Sequence, residues 1–375
     1  MSILNDVIRL RSWGTDRSHM LPRISGRGWF VGTSDSCALR LQDPRAAPVH
    51  AQLTYERQRW WIREVGREHG VRQDGVRREE FTLTPGVEIG IGATTLIAES
   101  PQTIALREFC ARMLGWERDP AVIDHALRAI RLAMTCRTAL VLRGGGDLVP
   151  VAHALHRRTM GAEAPFIVCD RRRRTAAGSV RAPENHESGV VAFEAASGGS
   201  LCVRSSRLPR DFSLLLARLR EPEPSVQLVV CLDRDDRGAL LAGPVPIDVP
   251  SMRDRMRDVP RLVDAFAADA IAALGAPAGC LTRDELAWVA RHSAMTLADI
   301  EKGTLRLVAR KVGGSLGQAA ALLGMAPVSL ARWLARRGAP RCPVRAGGEP
   351  TPCIDAMSRP SPRVGVACAS HAPRR

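Results

Sequence analysis

Gly313 to Gly338 reads GGSLGQAAALLGMAPVSLARWLARRG, and its spacing predicts two short helices joined by a tight turn. The first helix runs from Ser315 to Leu323 and buries Ala319, Ala320 and Leu323. Two small residues side by side let another helix approach closely. Gly324 supplies the left-handed backbone that ends this helix, and Met325 fills the space between the two. Pro327 presets the first turn of the second helix. There Val328 with Ala331, and Leu330 with Leu334, stand three or four residues apart, which leaves Arg332, Arg336 and Arg337 for phosphates or base edges. A helical hairpin of purely structural use has the same periodicity. It does not need the Gly324-Met325 pair in register with Ser329-Leu330. The candidate DNA-contacting residues are therefore Pro327, Val328, Ser329, Ala331, Arg332 and Arg336.

Ala319-Ala320, Leu323-Gly324-Met325, Ser329-Leu330 and Arg332 match without a gap the pattern Ala-Ala-x-x-Leu-Gly-(Ile/Met)-x-x-x-(Thr/Ser)-Leu-x-Arg. In this the segment resembles the Fis-type helix-turn-helix that closes many bacterial enhancer-binding proteins. The resemblance implies DNA as a partner and binding as at least a homodimer.

Working outward, residues 291–340 are helical throughout and end in this unit. Residues 101–290 alternate helical patterns with apolar strands at Ala139 to Leu142, Phe166 to Val168, Leu201 to Val203 and Gln227 to Leu232, an α/β region with a parallel sheet. Residues up to about 100 alternate apolar and polar in short runs broken by Gly, Pro and Asp, an all-β unit. Its strands include Trp29 to Gly32, Ala51 to Tyr55, Trp60 to Val65 and Val87 to Ile91. Residues 341–375 are rich in Pro, Gly, Ser and Arg without periodicity and are expected to be a disordered tail. The expected fold class is multidomain: all-β, then α/β, then all-α.

The chain has 375 residues, 45% of them hydrophobic, enough for two or three domains with cores of their own. No run approaches the length of a membrane span, and the opening MSILNDVIRLRSWG lacks a signal-peptide core, so a cytoplasmic protein without a membrane partner is expected. The ten cysteines are scattered, with no Cys-x-x-Cys and no nearby His pair. Reduced, mostly buried thiols are expected, with no metal site and no cofactor. The formal charge is +15, yet only Lys302 and Lys311 among the 54 basic residues are lysine. Such a bias reflects GC-rich coding, so the placement of charge matters more than its sum. The densest run, Arg171 to Arg174, follows a short strand and reads as a solvated loop or a phosphate-backbone contact.

Within the β unit, Phe-Val-Gly-Thr at 30–33, Leu39, Leu41, Asp43-Pro44, His50-Ala51, Trp61-Ile62, Gly70, Asp74-Gly75, Leu83-x-Pro-Gly and Ile89-Gly-Ile-Gly-Ala follow one another at telling distances. On these, residues 21–100 resemble a forkhead-associated (FHA) domain, a β-sandwich whose loops hold a phosphothreonine peptide. A dianionic phosphate needs a guanidinium and several converging donors. The family's Gly-Arg is Gly32-Thr33 here, its Ser before His is Ala47, the adjacent Arg is Pro48, and its Asn is His69. His50 is retained and, in the family, braces the loop. The resemblance implies either a scaffold that no longer reads phosphothreonine tightly or a weak site at Thr33, Ser34, Arg45 and His69, with Arg67 as a further donor.

In the middle region three segments stand in order: Ala152-His-Ala-Leu-His156, Phe193 to Val203 (FEAASGGSLCV), and Pro250 to Pro260 (PSMRDRMRDVP). On these, residues 101–290 resemble the AAA+ module of sigma-54-dependent activators. Its chemistry is missing. A phosphate loop needs glycines, then Lys for the β- and γ-phosphates and Ser/Thr for magnesium. Here Leu142 to Pro150 reads LRGGGDLVP, with glycines at Gly144, Gly145 and Gly146, no Lys, and Asp147 where phosphate would lie. The strand that should close on Asp-Glu is followed by Arg204-Ser205, and the Gly-Ala-Phe-Thr-Gly-Ala loop that engages sigma-54 is absent. Arg291 to Ile300 replaces the segment with the sensor arginine. Arg253, Arg255 and Asp258 persist and are expected in structural salt bridges. His153 and His156, three apart on a helix, are expected to pack rather than ligate.

The sequence thus predicts no enzyme but a DNA-binding transcriptional regulator whose middle domain is a pseudo-ATPase platform, with a protein partner at the FHA-like domain. The alternative is a phosphoprotein or protein-interaction adaptor with a vestigial DNA-binding unit.

Overall fold

The structure, a computed structural model, describes residues 6–23, 28–66, 70–172, 183–221, 225–235 and 244–339. Arg67, His69, Arg173, Arg174 and the expected tail lie outside the described residues.

Eleven strands come first: β1 (Arg9–Ser12), β2 (Ser18–Met20), β3 (Trp29–Gly32), β4 (Leu39–Arg40), β5 (Ala51–Glu56), β6 (Arg59–Glu64), β7 (Val71–Gln73), β8 (Val76–Arg78), β9 (Glu80–Thr82), β10 (Glu88–Ile91) and β11 (Thr94–Glu99). They form a six-stranded sheet, β2-β1-β11-β10-β7-β8, and a five-stranded sheet, β4-β3-β5-β6-β9. One core joins the two faces, with Leu10, Val31, Leu53, Trp60, Ile62, Ile89 and Leu96 buried. Of the adjacent tryptophans, Trp60 is buried and Trp61 only partly so, as strand alternation requires. The sandwich takes in β1 and β2, ahead of the expected start at Leu21, because β1 pairs along its length with β11.

The chain then runs through α1 (Pro101–Leu114), α2 (Pro120–Cys136), β12 (Leu140–Gly144), α3 (Val149–Thr159), β13 (Phe166–Cys169), β14 (Glu184–His186), α4 (Gly189–Ala195), β15 (Ser200–Arg204), α5 (Phe212–Leu219), β16 (Gln227–Asp233) and β17 (Ile247–Val249). These six strands are parallel in the order β14-β13-β15-β16-β12-β17. Strand alternation gives each face its own cover. Leu140, Leu142, Val168, Cys202 and Val229 pack with α1, α2 and α3. Val141, Ile167, Leu201, Val203 and Val230 pack with α4 and α5. Burial on both faces is why these strands read as apolar runs.

Five helices close the described chain: α6 (Val259–Leu274), α7 (Arg283–His292), α8 (Leu297–Gly313), α9 (Leu316–Leu322) and α10 (Pro327–Arg336). Trp288 of α7 binds the end of α10, donating its indole N–H to the Arg337 and Gly338 carbonyls at 3.1 and 3.2 Å. Lys311 of α8 pairs with Glu285 of α7 at 2.9 Å.

The sandwich is joined to the α/β region by ions. Ser100 caps α1 directly after β11, in a reciprocal box with Thr103. Behind it Arg11 of β1, 1% exposed, reaches Glu99 of β11 at 2.7 Å and Asp124 of α2 at 2.6 Å, both equally buried. Burial disfavours the Arg11 charge, but bonds to Asp124 and Glu99 outweigh it and hold the guanidinium above its ordinary value. Gly14 donates its N–H to Asp124 at 2.8 Å. Arg128 of α2 bonds Glu88 of β10 through Nε at 2.6 Å and lies 4.1 Å from the Trp13 ring centroid.

Removing one partner of a buried pair leaves a charge without compensation. Asp124→Asn should lower the unfolding free energy of the full chain by about 3 kcal/mol, read from urea titrations. The exposed Arg218–Glu221 pair is the contrast: Arg218→Ala should cost less than about 0.5 kcal/mol. Equal midpoints for the two variants would remove the cluster from its joining role.

Candidate functional site

Ser315 caps α9, accepting from the Gln318 N–H at 3.2 Å. The turn closes as Met325 donates its N–H to Ala320 O at 2.9 Å, with Gly324 at φ +60°. Ala319, Ala320, Leu323 and Leu330 are buried against Ala309 of α8, with Met325 and Leu334 packed on them. Gly313 is required by this contact, since a Cβ there would stand 2.6 Å from the Ala319 nitrogen. Pro327 opens α10, and Val328, Ser329, Arg332 and Arg336 are exposed on it while Ala331 is half-buried. Arg337 differs from expectation. Its guanidinium lies 4.8 Å from the Trp333 ring and donates to His292 O at 3.2 Å, so it holds the end of α10 instead of standing free.

Gly144 ends β12, which lies between β16 and β17, and Gly145 and Gly146 follow it. A Cβ on Gly144 would meet Val249 O at 2.6 Å, so this glycine serves the close approach of β17. Gly145 faces open space, and Gly146 turns the chain at φ +87°. The Asp147 carboxylate accepts from the Val149 N–H at the start of α3, at 3.2 Å. That is where a helix N-terminus would hold a phosphate. Arg204, at the end of β15, stands 3.5 Å from the same carboxylate. The loop therefore carries its own anion, and the strand end carries the matching cation.

Arg255, 8% exposed, bonds Asp258 at 3.0 Å through Nε and donates to Met113 O and Arg112 O at the end of α1. Burial pushes its pKa down and Asp258 opposes this. Arg253 is exposed. His156 is buried between Ser200 Oγ at 2.8 Å and Ala164 O at 2.9 Å, and burial lowers its pKa. A neutral ring donating from Nε2 to Ala164 and accepting at Nδ1 from Ser200 satisfies both bonds. His153 stacks on Phe166 at 4.8 Å. Cys110 and Cys169 are buried, and burial pushes each thiol up to about 12, which makes them unreactive.

In the sandwich, the Thr33 and Ser34 N–H groups donate to Ala47 O and Pro48 O at 3.1 and 3.0 Å. Both backbone donors are thus engaged inside the loop. Ser34 Oγ lies 2.9 Å from Ser36 Oγ, and the Arg45 side chain is exposed. His50, 1% exposed, accepts at Nδ1 from the Ala47 N–H at 3.1 Å, which leaves Nε2 to donate to Gly70 O at 3.1 Å. Its bracing role is as expected. Asp43 is a second brace, accepting from Ala93 N, Thr94 N and Thr94 Oγ1 within 2.9 Å. The Arg45 N–H and these donors hold its carboxyl below the usual range. The Asp43-Pro44 turn was visible in the sequence, but not the distant donors it serves.

Residues 13–102 match the family described as the inner membrane component of T3SS, cytoplasmic domain. No protein of curated function matches the chain. Among solved structures, the chain is similar to the FHA domain of the CT664 protein from Chlamydia trachomatis, at 20% identity over 24% of this chain and 95% of that one, TM-score 0.23. It is similar to FHA-1 of Rv1747 from Mycobacterium tuberculosis at 18% identity, over 25% of this chain and 98% of that one, TM-score 0.21. It is also similar to Mycobacterium tuberculosis EmbR in complex with a low-affinity phosphopeptide, at 19% identity over 25% of this chain and 24% of that one, TM-score 0.23. The N-terminal unit is an all-β sandwich, followed by an α/β region with a parallel sheet and by C-terminal helices. No described helix is long and apolar enough to cross a membrane.

His50→Ala removes both bonds of a buried ring, leaving Ala47 N–H and Gly70 O to find water. A loss of about 2 kcal/mol in unfolding free energy is expected. An unaltered thermal midpoint would show that the loop stands without its brace.

Proposed function

We propose that the chain is a DNA-binding regulator whose reading element is α10, carried on a middle domain that does not hydrolyse ATP. The observation that supports this most is the outer face of α10. Val328, Ser329, Arg332 and Arg336 are exposed together on it, and neither arginine has a carboxylate within ion-pair distance among the described residues. Cations left without partners on one helix face suit a phosphate backbone and guanine edges. The double variant Arg332→Ala, Arg336→Ala should lose selected sites in genome-wide capture by the purified chain. Each specific base contact removed should cost about 1–3 kcal/mol. Unchanged affinity and salt dependence would end this assignment.

The middle domain acts in this reading as a pseudo-ATPase platform for assembling at least a dimer. Asp147 and Arg204 support that role, since the pair reverses the charges that phosphoryl transfer needs in a P-loop site. Magnesium-dependent ATP turnover by the full chain should not exceed that of a Gly145→Arg control. Turnover above that control would overturn the reading.

A second reading, a phosphoprotein or protein-interaction adaptor, is favoured by the intact His50 brace and the FHA-like sandwich. Phosphothreonine peptide arrays probed with the full chain, together with absence of DNA retention, would put it first.

A further inference from the structure

Beside the outer face of α10 lies a hollow whose lining reaches beyond the helix-turn-helix sequence pattern, to Arg306 of α8. It lies between α8 and α10, has a volume of about 290 Å³, and is lined by Arg306 and Met325 with Ser329, Arg332, Trp333 and Arg336. Arg337 is also in the lining. No acidic side chain is in the lining. Four guanidiniums around one hollow repel one another and draw in an anion.

Two of them are held in place. The Arg306 guanidinium lies 4.5 Å from the Trp333 ring centroid and that of Arg337 lies 4.8 Å from it. Trp333 is itself fixed by an edge contact with Trp288 at 5.8 Å. Arg306 is partly buried. Burial, and then the neighbouring Arg337 charge, push its pKa down, with Asp299, about two turns away on α8, as the opposing charge. No ion pair of Arg306 occurs among the described residues, although carboxylates are engaged by arginines elsewhere in the chain. A cation kept at a cost beside a hollow whose lining holds no carboxylate is poised for a ligand.

We propose that this hollow seats a DNA backbone phosphate, with Arg306 of α8 and Arg337 stacked on Trp333 as its clamp, alongside contacts made by Arg332 and Arg336. The proposal rests on the DNA-binding reading and adds to it a contact outside the two short helices. A phosphodiester oxygen accepts planar guanidinium donors well, and the aromatic ring fixes their orientation beforehand. Being a phosphate contact, it positions the reader on the duplex and carries no base preference.

The test compares the full chain with Arg306→Gln and Arg306→Lys on duplex DNA across a salt series. Arg306→Gln should weaken binding about tenfold for every duplex. Its salt slope should fall by about 0.9, with the ranking of sites unchanged. Arg306→Lys should keep the slope and recover part of the affinity. The melting temperature of Arg306→Gln should equal or exceed that of the parent, since an unpaired buried charge is removed. An unchanged affinity and slope would overturn the clamp, and so would a loss of affinity matched by a fall in melting temperature. Inorganic phosphate added at constant ionic strength separates the two sources of the anion. If phosphate competes with DNA on the parent and not on Arg306→Gln, DNA occupies the hollow as proposed; if phosphate binds the parent through Arg306 without weakening DNA binding, the hollow is a free-phosphate site and the proposal falls. If the parent chain retains no DNA, the underlying reading fails. DNA retention by the parent with an indifferent Arg306→Gln removes the clamp alone.

Discussion

Arg11 is the constraint on which the arrangement of the first half of the chain depends. It lies within a strand yet is almost wholly buried, because its two carboxylate partners come from different places: Glu99 at the end of the sandwich and Asp124 on the second helix of the next region. An ion of this size cannot be left dry without partners. The cluster forms only when β1, β11 and α2 are all in position, so it specifies one docking of sandwich on helices. Apolar contacts alone would permit sliding. The shell around it, with Arg107 to Asp16, Arg128 to Glu88 and Arg131 to Asp74, repeats the same preference with more exposed pairs. At the other end of the chain the joining chemistry is apolar and aromatic, through Trp288, Trp333 and the small residues facing α9.

The elements that the sequence made legible are those decided by short-range chemistry. The two short helices α9 and α10 and the turn between them could be read because Gly324, Met325 and Pro327 each answer a local demand. The four central strands of the parallel sheet could be read because burial on both faces leaves an apolar run. β14 and β17 could not, since each is three residues long and carries polar side chains, as in Glu184-Asn185-His186. β1 was hidden by Arg11 itself, which resembles a surface residue until its partner 113 positions later is known. Among the candidate site residues, the exposure of Arg332 and Arg336 followed from helical period. The engagement of Arg337 and the approach of Arg306 depend on how α8 and α10 cross, which no pattern within either helix encodes.

The glycine loop after β12 carries charges of its own. Strand order brings the ends of β12 and β15 to either side of β16, the position from which an open α/β sheet normally offers a ligand site. Here an ion pair of the chain itself stands at that position. Asp147 serves the first turn of α3, and Arg204 answers its charge from across the sheet. The Val149 N–H at the helix start thus has an acceptor from the chain itself.

Helix α8 belongs at once to the bundle made with α6 and α7 and to the core beneath α9 and α10. Many readers of DNA hang from a tether and find their groove independently of the body behind them. The unit that carries α10 is instead continuous with its body through a single seventeen-residue rod. In any symmetric pair of chains the distance between the two copies of α10 would then be set by the folded body, as the jaws of a caliper are set by its beam. On the DNA-binding proposal, half-site spacing becomes a property of that body.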